Sequence, residues 1–265
     1  MPEKTLKARA KRKKGINPVV RDGDLRYLSM DVLVLAAEGA YSGNTMKREL
    51  AVIPFSGEFE VSFPGGSCRM KRKDVFSEKG SALYLPANTE FSIRADSKTA
   101  SEMVFCWAKA AVKKGKRFPR FVPASEAKQK LVGKGNWKRK VVDIIDLDTD
   151  AERLVVGETY NRPGCWSSFP PHKHDKEIPG KEADMEEIYL FRISPPQGFG
   201  LQRIYSGRRE DCFAVQDYDA VKIPVGYHPV VAMPGYDLYY LWVLAGKKRK
   251  LMPNTDPRYR WLLET

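Results

Sequence analysis

The sequence predicts an all-β fold built from two consecutive jelly-roll barrels, that is, two double-stranded β-helices. Short stretches rich in Val, Ile, Tyr and Phe recur along the chain, and Gly, Pro or Asn interrupts them about every 8–12 residues, which is typical of all-β proteins. Within residues 57–63, polar side chains alternate with Phe59, Val61 and Phe63, so this strand buries one face. Helical periodicity is scarce. These patterns occur both before and after residues 109–140, which indicates two halves.

Each half contributes its own series of predicted strands, all short and rich in β-branched or aromatic residues. The first series covers residues 49–55, 57–63, 81–85, 90–94 and 103–107. The second series covers residues 140–145, 153–160, 187–193, 200–205, 220–224 and 237–244.

The two halves share a sequence echo. In residues 83–90 and in residues 221–228, a strand ends in a proline and a short turn leads into another strand. The two strand series correspond around this echo. We therefore expect a duplicated barrel in which only the second copy keeps its polar functional residues.

Most of the positive charge is concentrated in two segments. Residues 1–14 hold seven basic residues and one acidic residue, and residues 109–140 hold twelve basic and one acidic; the rest of this +13 chain therefore carries −4. Charge runs of this kind are usually solvated. We expect a basic disordered tail over 1–14, a degenerate first barrel over 15–108, a basic connector over 109–140 and a metal-binding second barrel over 141–265.

Composition excludes several classes of protein. An apolar content of 42% excludes a wholly disordered chain, and no stretch approaches the ~18 apolar residues of a membrane-spanning helix. Zinc-finger spacing, basic-zipper heptads and an RNP-type aromatic signature are all missing, so we expect no nucleic-acid partner. Four widely spaced cysteines without a CxxC favour reduced thiols and a cytoplasmic location; they are Cys68, Cys106, Cys165 and Cys212.

All three histidines of the chain lie in the second half. His172 and His174 are two residues apart, so on a strand both side chains point to the same face. His228 follows a Pro-Val-Gly-Tyr turn, and Glu186 and Glu187 open an apolar strand between these positions. A lone histidine is most often an ordinary core or surface residue, but three imidazoles with one carboxylate suit a divalent transition metal that keeps positions open for a substrate. Periodicity leaves the choice between the two glutamates open, because both faces of the strand carry apolar residues.

These residues resemble the two-part metal motif of the cupin superfamily. Longer strings resemble the 5-deoxy-glucuronate isomerase family of bacterial myo-inositol catabolism, across residues 150–250 and onward through the first half. The strings that carry this resemblance are Trp166-Ser-Ser-Phe-Pro-Pro-His-Lys-His-Asp175, Glu186-Glu-Ile-Tyr189, Pro195-Pro-Gln-Gly-Phe199, Gln202-Arg-Ile-Tyr205, Pro224-Val-Gly-Tyr-His-Pro229 and Pro234-Gly-Tyr-Asp-Leu-Tyr-Tyr240.

The resemblance implies a bicupin and an aldose–ketose isomerase, an intramolecular oxidoreductase that converts 5-deoxy-glucuronate to 5-dehydro-2-deoxy-gluconate. The related 4-deoxy-5-hexosulose-uronate ketol-isomerases bind zinc through His-x-His, Glu and His, and their Glu directly precedes an aliphatic–Tyr pair. Carried over to this chain, the ligands are His172, His174, Glu187 and His228. We expect zinc in this site, with manganese or iron as alternatives.

Aldose–ketose isomerisation moves a proton between neighbouring carbons, so a base within hydrogen-bond reach is needed. The candidate catalytic residues are Tyr189, Tyr227 and Tyr240, and a direct hydride shift that needs no base stays open. A uronate substrate also requires a partner for its carboxylate. Gln202 and Arg203, on the strand after Glu187, are the candidate substrate-binding residues.

Two other functions compete with the isomerase. A non-catalytic cupin would bind a sugar acid without turnover, and a metal-dependent dioxygenase would use the same ligand set for Fe(II). For the isomerase we expect a small sugar-acid substrate, no membrane partner and a homo-oligomer.

Overall fold

The structure, a computed structural model, describes residues 6–110 and 117–264, and most of its regular structure is β-strand. Helical elements among these residues are short: 3-10 turns at Gly135–Trp137 and Pro257–Tyr259, and helix α1 at Trp261–Glu264. The prediction of an all-β protein is therefore confirmed. No helix in the described ranges has the length and apolar character that a membrane crossing requires.

The strands follow one another with few long interruptions. The earlier ones are β1 (Lys7–Arg9), β2 (Gly15–Val20), β3 (Leu28–Leu35), β4 (Ala40–Asn44), β5 (Arg48–Phe63), β6 (Gly66–Arg72), β7 (Ala82–Leu85), β8 (Glu90–Ala95), β9 (Ser101–Lys109), β10 (Arg120–Val122) and β11 (Lys128–Val132). The later ones are β12 (Arg139–Ile145), β13 (Val155–Asn161), β14 (Trp166–Ser167), β15 (His172–Lys173), β16 (Met185–Ser194), β17 (Phe199–Ser206), β18 (Arg209–Gln216), β19 (Asp219–Ile223), β20 (Val230–Ala232), β21 (Asp237–Gly246) and β22 (Asn254–Thr255).

Strand order shows the duplication directly. The first half contains the order β10-β7-β5-β9-β3-β2, with β4, β6 and β8 attached through the long strand β5. The second half contains β1-β19-β16-β21-β13-β12-β11, and a smaller sheet, β14-β20-β17-β18, packs against it. The central order β7-β5-β9-β3-β2 thus repeats as β19-β16-β21-β13-β12. Antiparallel pairing joins neighbouring strands in both halves.

Apolar side chains of the described residues form three cores. One lies inside each barrel, and the third lies between the barrels, where side chains from both halves meet. The central strands are consequently buried on both faces. In β16, Tyr189 and Phe191 point into the second barrel, while Ile188 and Leu190 point into the core between the barrels. A strand buried on both faces loses the polar–apolar alternation from which an interior face is usually recognised.

The N-terminal segment is ordered where it is described, so the expected disordered tail over 1–14 is wrong for that part. Strand β1 pairs antiparallel with β19, with Lys7 opposite Val221, and so forms the edge of the second barrel. The pattern of charges does not predict that this segment is a strand, because the strand is stabilised by backbone hydrogen bonds to β19, which is distant in sequence. Residues 1–5 of the predicted tail lie outside the described residues.

The basic segment 109–140 also contributes to the sheets. Strand β10 pairs with β7 of the first half, and β11 pairs with β12 of the second half. Acidic side chains of the second half neutralise part of its charge; the Lys128 ammonium, for example, lies 2.5 Å from an Asp146 carboxylate oxygen. The described part of this segment therefore forms strands in both sheets and also connects the two halves. Residues 111–116 lie outside the described residues.

Candidate metal centre

Two separate segments bring the three imidazoles of the second barrel together. His172 begins the short strand β15, and His174 follows directly after it. His228 lies in the turn between β19 and β20. The ring centroid of His228 is 5.0 Å from that of His172 and 5.0 Å from that of His174. The sequence placed the first two on one face, and in the structure both rings approach the third.

The carboxylate of Glu187 completes the cluster. Its Oε2 atom lies 3.2 Å from Nε2 of His174 and 3.3 Å from Nε2 of His228. One ligand atom from each of these three residues falls within 4.8 Å of the others, and all three residues are buried. His172 borders this triad through its contact with His228 and is partly buried.

Backbone carbonyls orient all three rings in the same way. Nδ1 of His172 lies 3.3 Å from the carbonyl of Pro170, Nδ1 of His174 lies 2.9 Å from that of Met185, and Nδ1 of His228 lies 2.9 Å from that of Gly226. Because a carbonyl oxygen only accepts, each contact places a proton on Nδ1, and Nε2 is the ring nitrogen of His174 and of His228 that faces Glu187. Carbonyl contacts of this kind orient metal-ligating histidines in metalloproteins.

The site passes a chemical test for a metal. Nε2 of His228 is fully buried and has no hydrogen-bond partner among the described residues, an arrangement that is costly for a buried polar atom unless a further group binds it. Burial lowers the pKa of His172 and of His228 to about 3, so both imidazoles are neutral at neutral pH, the state in which they bind metals. An imidazole–carboxylate set matches the ligands of zinc and of manganese or iron.

Adjacent glutamates have different roles because they lie on opposite faces of β16. Glu187 points into the barrel, to the histidines. Glu186 points to the core between the halves, where its carboxylate accepts hydrogen bonds from the backbone N–H groups of Arg26, Tyr27 and Leu28. Of the two glutamates between which periodicity had left the choice open, Glu187 is thus the one whose carboxylate lies beside the histidines.

A partly buried polar network fixes the turn that carries His228. The Asp175 carboxylate accepts a hydrogen bond from the backbone N–H of Gly226 at 2.7 Å and forms an ion pair with the Lys173 ammonium at 2.5 Å. Gly226 has φ +99°, and a Cβ atom there would lie 2.7 Å from the carbonyl oxygen of Tyr205. The chain segment that holds His172 and His174 is thereby tied to the turn of the third histidine. Glycine is needed at this position for both its backbone conformation and its close contact.

A cavity of about 290 Å³ opens onto the cluster. Its wall combines metal-ligand candidates, hydroxyl groups, two basic residues and apolar side chains. Among the residues that the structure describes, sixteen line it: Lys130, Val132, Arg139, Val141, Asp143, Thr159, Ser168, His172, His174, Glu187, Tyr189, Tyr240, Trp242, Leu244, Leu251 and Pro253.

Two of the three candidate catalytic tyrosines lie in this cavity. The ring centroids of Tyr189 and Tyr240 lie 4.3 Å apart with the ring planes tilted by 34°, and the Oη atom of Tyr189 lies 2.7 Å from Oγ of Ser168. Burial, together with the negative charge of Glu187, raises the pKa of Tyr189 well above its usual value. Tyr189 therefore keeps its proton at neutral pH and is a hydrogen-bond donor.

The third candidate, Tyr227, lies outside the lining of this cavity, which corrects its predicted catalytic role. Tyr227 stacks on Tyr205 at 5.1 Å and exchanges two backbone hydrogen bonds with it. It lies next to His228 in sequence, but its side chain packs on β17. Adjacent residues of extended backbone point in opposite directions, so the inward position of His228 directs Tyr227 away from the site.

The two candidate substrate-binding residues separate for the same reason. Gln202 is fully buried and donates a hydrogen bond to the carbonyl of His228 at 2.8 Å, while its Oε1 has no partner in the described ranges. Arg203 points outward, pairs with Glu210 at 2.8 Å and covers the ring of Tyr205. The structure therefore does not place Arg203 at the cavity, which corrects its predicted role as the partner of a substrate carboxylate.

A basic residue that sequence reasoning missed lies in the cavity instead. Arg139 begins β12 and lines the same wall as His172 and Tyr240. In the sequence it belongs to a run of Lys and Arg without alternation, so no signal separated it from its solvated neighbours. Only the pairing of β12 with β13 brings it to the site.

Comparisons with known proteins agree with this architecture. The model of the KduI/IolB family matches residues 5–262. A curated relative from Geobacillus kaustophilus, named 5-deoxy-glucuronate isomerase, is 34% identical over 244 residues, which is 90% of this chain and 87% of the relative. The crystal structure of an IolB-like protein from Salmonella typhimurium superposes with a TM-score of 0.91 at 31% identity, covering 98% of this chain and 99% of that one.

A more distant solved structure supports the fold alone. Oxalate decarboxylase from Lactobacillus farciminis superposes with a TM-score of 0.69 at 13% identity, covering 98% of this chain and 90% of that one. The expectation of an all-β bicupin is confirmed by these likenesses. The names of the curated relatives confirm that the protein is an enzyme of the isomerase class. From residue 5 to residue 262, the chain belongs to the KduI/IolB family.

Proposed function

We propose that the protein converts 5-deoxy-glucuronate to 5-dehydro-2-deoxy-gluconate and that it uses a divalent metal, zinc in the first place, held in the second barrel by His172, His174, Glu187 and His228. The observation that carries the proposal is the convergence of two buried Nε2 atoms on one oxygen of Glu187 at a cavity. The names of the curated relatives support the substrate.

The residues of the chain supply binding and proton positioning. A metal in this site would polarise the carbonyl of the sugar and stabilise negative charge on its oxygens. Tyr189 donates its phenolic hydrogen to a substrate oxygen, because its raised pKa keeps it protonated. Oγ of Ser168 lies 2.7 Å from the hydroxyl of Tyr189 and 3.4 Å from that of Tyr240, so it links the two hydroxyls along which a proton can move.

Metal analysis combined with an isomerase assay tests the proposal. The purified protein is expected to contain about one zinc ion per chain and to isomerise 5-deoxy-glucuronate, followed by NMR. Chelation should abolish turnover and added zinc should restore it. The substitution His228→Ala should remove the metal and slow turnover by about 1,000-fold or more, the rate equivalent of several kcal/mol of charge stabilisation.

Arg203→Gln is the matched control, because this side chain lies outside the cavity and pairs with Glu210. It should leave metal content and turnover at the level of the unsubstituted protein. Full turnover by a metal-free protein, or by the His228→Ala variant, would contradict the proposal. Oxygen uptake with a diol or thiol substrate, without isomerisation, would instead identify a dioxygenase that uses the same ligand set.

A further inference from the structure

The side chain of Arg139 reaches the metal cavity across the barrel wall. It begins β12, and its Nη1 atom donates hydrogen bonds to the backbone carbonyls of Phe169 at 2.9 Å and Trp137 at 3.3 Å. Phe169 lies just before the segment that carries His172. These bonds hold the guanidinium beside the metal-ligand candidates.

The chain around Arg139 is built to accommodate this position. Trp137 is buried and packs edge-on against the ring of Phe169, with ring centroids 5.7 Å apart. Gly133 has φ +82°, and a Cβ atom there would lie 3.1 Å from Nη1 of Arg139 and closer still to the carbonyl of Trp137. The turn before β12 therefore encloses one edge of the guanidinium, and its orientation is set before a ligand arrives.

The charge of Arg139 lacks a carboxylate partner in the described part of the chain. Both hydrogen bonds that it makes within the described ranges go to carbonyl groups, and both use the same nitrogen, Nη1. The other basic residue of the cavity, Lys130, is held by Asp143 at 2.6 Å. Arg139 consequently keeps Nε and Nη2, the edge with which an arginine binds a carboxylate through two parallel hydrogen bonds.

We propose that Arg139 binds the carboxylate of the substrate and selects sugar acids over neutral sugars. This inference rests on the proposed function for its substrate class. Arg139 is a half-buried cation that lines the same cavity as His172, Tyr189 and Tyr240. It is therefore suited to bind the carboxylate of a ligand whose carbonyl end contacts the metal-ligand cluster. Partial burial of a charge without an opposite partner is unfavourable, so an anionic ligand would also stabilise this guanidinium.

Calorimetric titration with two sugars of similar size tests this assignment. The probes are D-glucuronate and D-glucose, added to the zinc-loaded protein and to its Arg139→Gln and Arg139→Lys variants. The unsubstituted protein should prefer glucuronate by about 10- to 100-fold, the value of a charge-assisted bidentate contact. Arg139→Gln should lose this preference, and Arg139→Lys should retain part of it, since lysine keeps the charge but not the paired geometry.

Arg203→Gln is the matched control and should keep the full preference. The assignment is overturned if the unsubstituted protein shows no preference for glucuronate, or if Arg139→Gln preserves it. Metal content is measured in every variant, so a loss of the metal itself is distinguished from a loss of carboxylate binding. The isomerase assay on the unsubstituted protein is separate: its failure would count against the proposed function, whereas a changed sugar preference would still identify the carboxylate-binding residue.

Discussion

Glu49 and Glu186 occupy equivalent positions in the two halves, and each binds the backbone of the other half. Both are the second residue of a central strand, β5 or β16, and both are buried. Glu49 accepts hydrogen bonds from the amides of residues 152–154 at 2.7–2.8 Å, just before β13. Glu186 accepts them from the amides of residues 26–28 at 2.6–2.9 Å, at the start of β3. The two barrels are thus joined by a reciprocal pair of contacts.

Replacing Glu186 by Gln should lower both the stability and the metal affinity of the protein. The amide group turns a donor toward backbone N–H groups that need acceptors, which costs about 1–3 kcal/mol in the free energy of unfolding. Metal affinity should fall because Glu187, the next residue, is held by the same stretch of β16. Denaturant unfolding and zinc titration measure the two effects.

Glu49→Gln is the matched control for that substitution. It should cost a similar free energy of unfolding, but its neighbour in the chain is Leu50, so the zinc affinity should stay unchanged. Equal zinc affinities for all three proteins would show that Glu186 has no effect on the metal site.

The substitution Gly226→Ala should displace His228 and weaken metal binding. The alanine would have to adopt φ +99° with its Cβ 2.7 Å from the carbonyl of Tyr205. Left-handed backbone alone costs about 1–2 kcal/mol, and the contact adds to it. Gly207→Ala is the comparison, since its φ is +60° and a Cβ there meets nothing within 4 Å. Both variants should lose stability, whereas only Gly226→Ala should lose zinc; retention of zinc by both would refute the expected displacement.

Removing residues 1–10 should destabilise the second barrel. The deletion leaves the β19 edge without its partner strand and removes the ordered contacts of β1, at about 1 kcal/mol for each hydrogen bond lost. Thermal unfolding of the shortened protein should occur several degrees lower. An unchanged melting temperature would contradict the pairing seen here.

The same deletion tests the expectation that nucleic acid is not a partner. A nucleic-acid protein would lose salt-dependent affinity together with these basic residues. For the full-length protein we expect no such affinity at about 0.15 M salt, measured with a labelled duplex.

The cysteines should react with an alkylating reagent in the order of their exposure. Cys212 is exposed and should react first, whereas Cys106 is fully buried and should react only on unfolding. Burial raises the pKa of the Cys68 thiol to about 11, so little thiolate is present at pH 8 and its reaction rate should keep rising toward pH 11. Mass spectrometry after timed alkylation gives the order; early modification of Cys106 would contradict the packing.

The parts of the site that could be predicted from sequence are those with a short-range signal. His172 and His174 share a face because residues two apart on extended backbone do so, and His228 follows a turn that has its counterpart in the first half. In both turns the residue two after the proline, Asn88 or Gly226, has a positive φ. Duplication is therefore visible at the level of single backbone conformations.

The remaining parts depend on contacts that pattern does not report. Periodicity could not separate Glu186 from Glu187, because the core between the barrels makes the outer face of β16 as apolar as the inner one. Arg139 lies in a charged run and reaches the cavity only through the pairing of β12 with β13. Gln202 and Arg203 could have been distinguished, since neighbours on a strand point to opposite faces and cannot both bind the substrate.

The pairing of β1 with β19 has a consequence for synthesis on the ribosome. The first barrel has all of its own strands once residue 122 has emerged, and domains of this kind generally fold as the chain is made. Strand β1 is made before all of them, yet its partner β19 is completed only at Ile223. Strand β1 therefore waits for a partner that is made much later than the first barrel, and the second barrel closes this edge only after β19 has emerged.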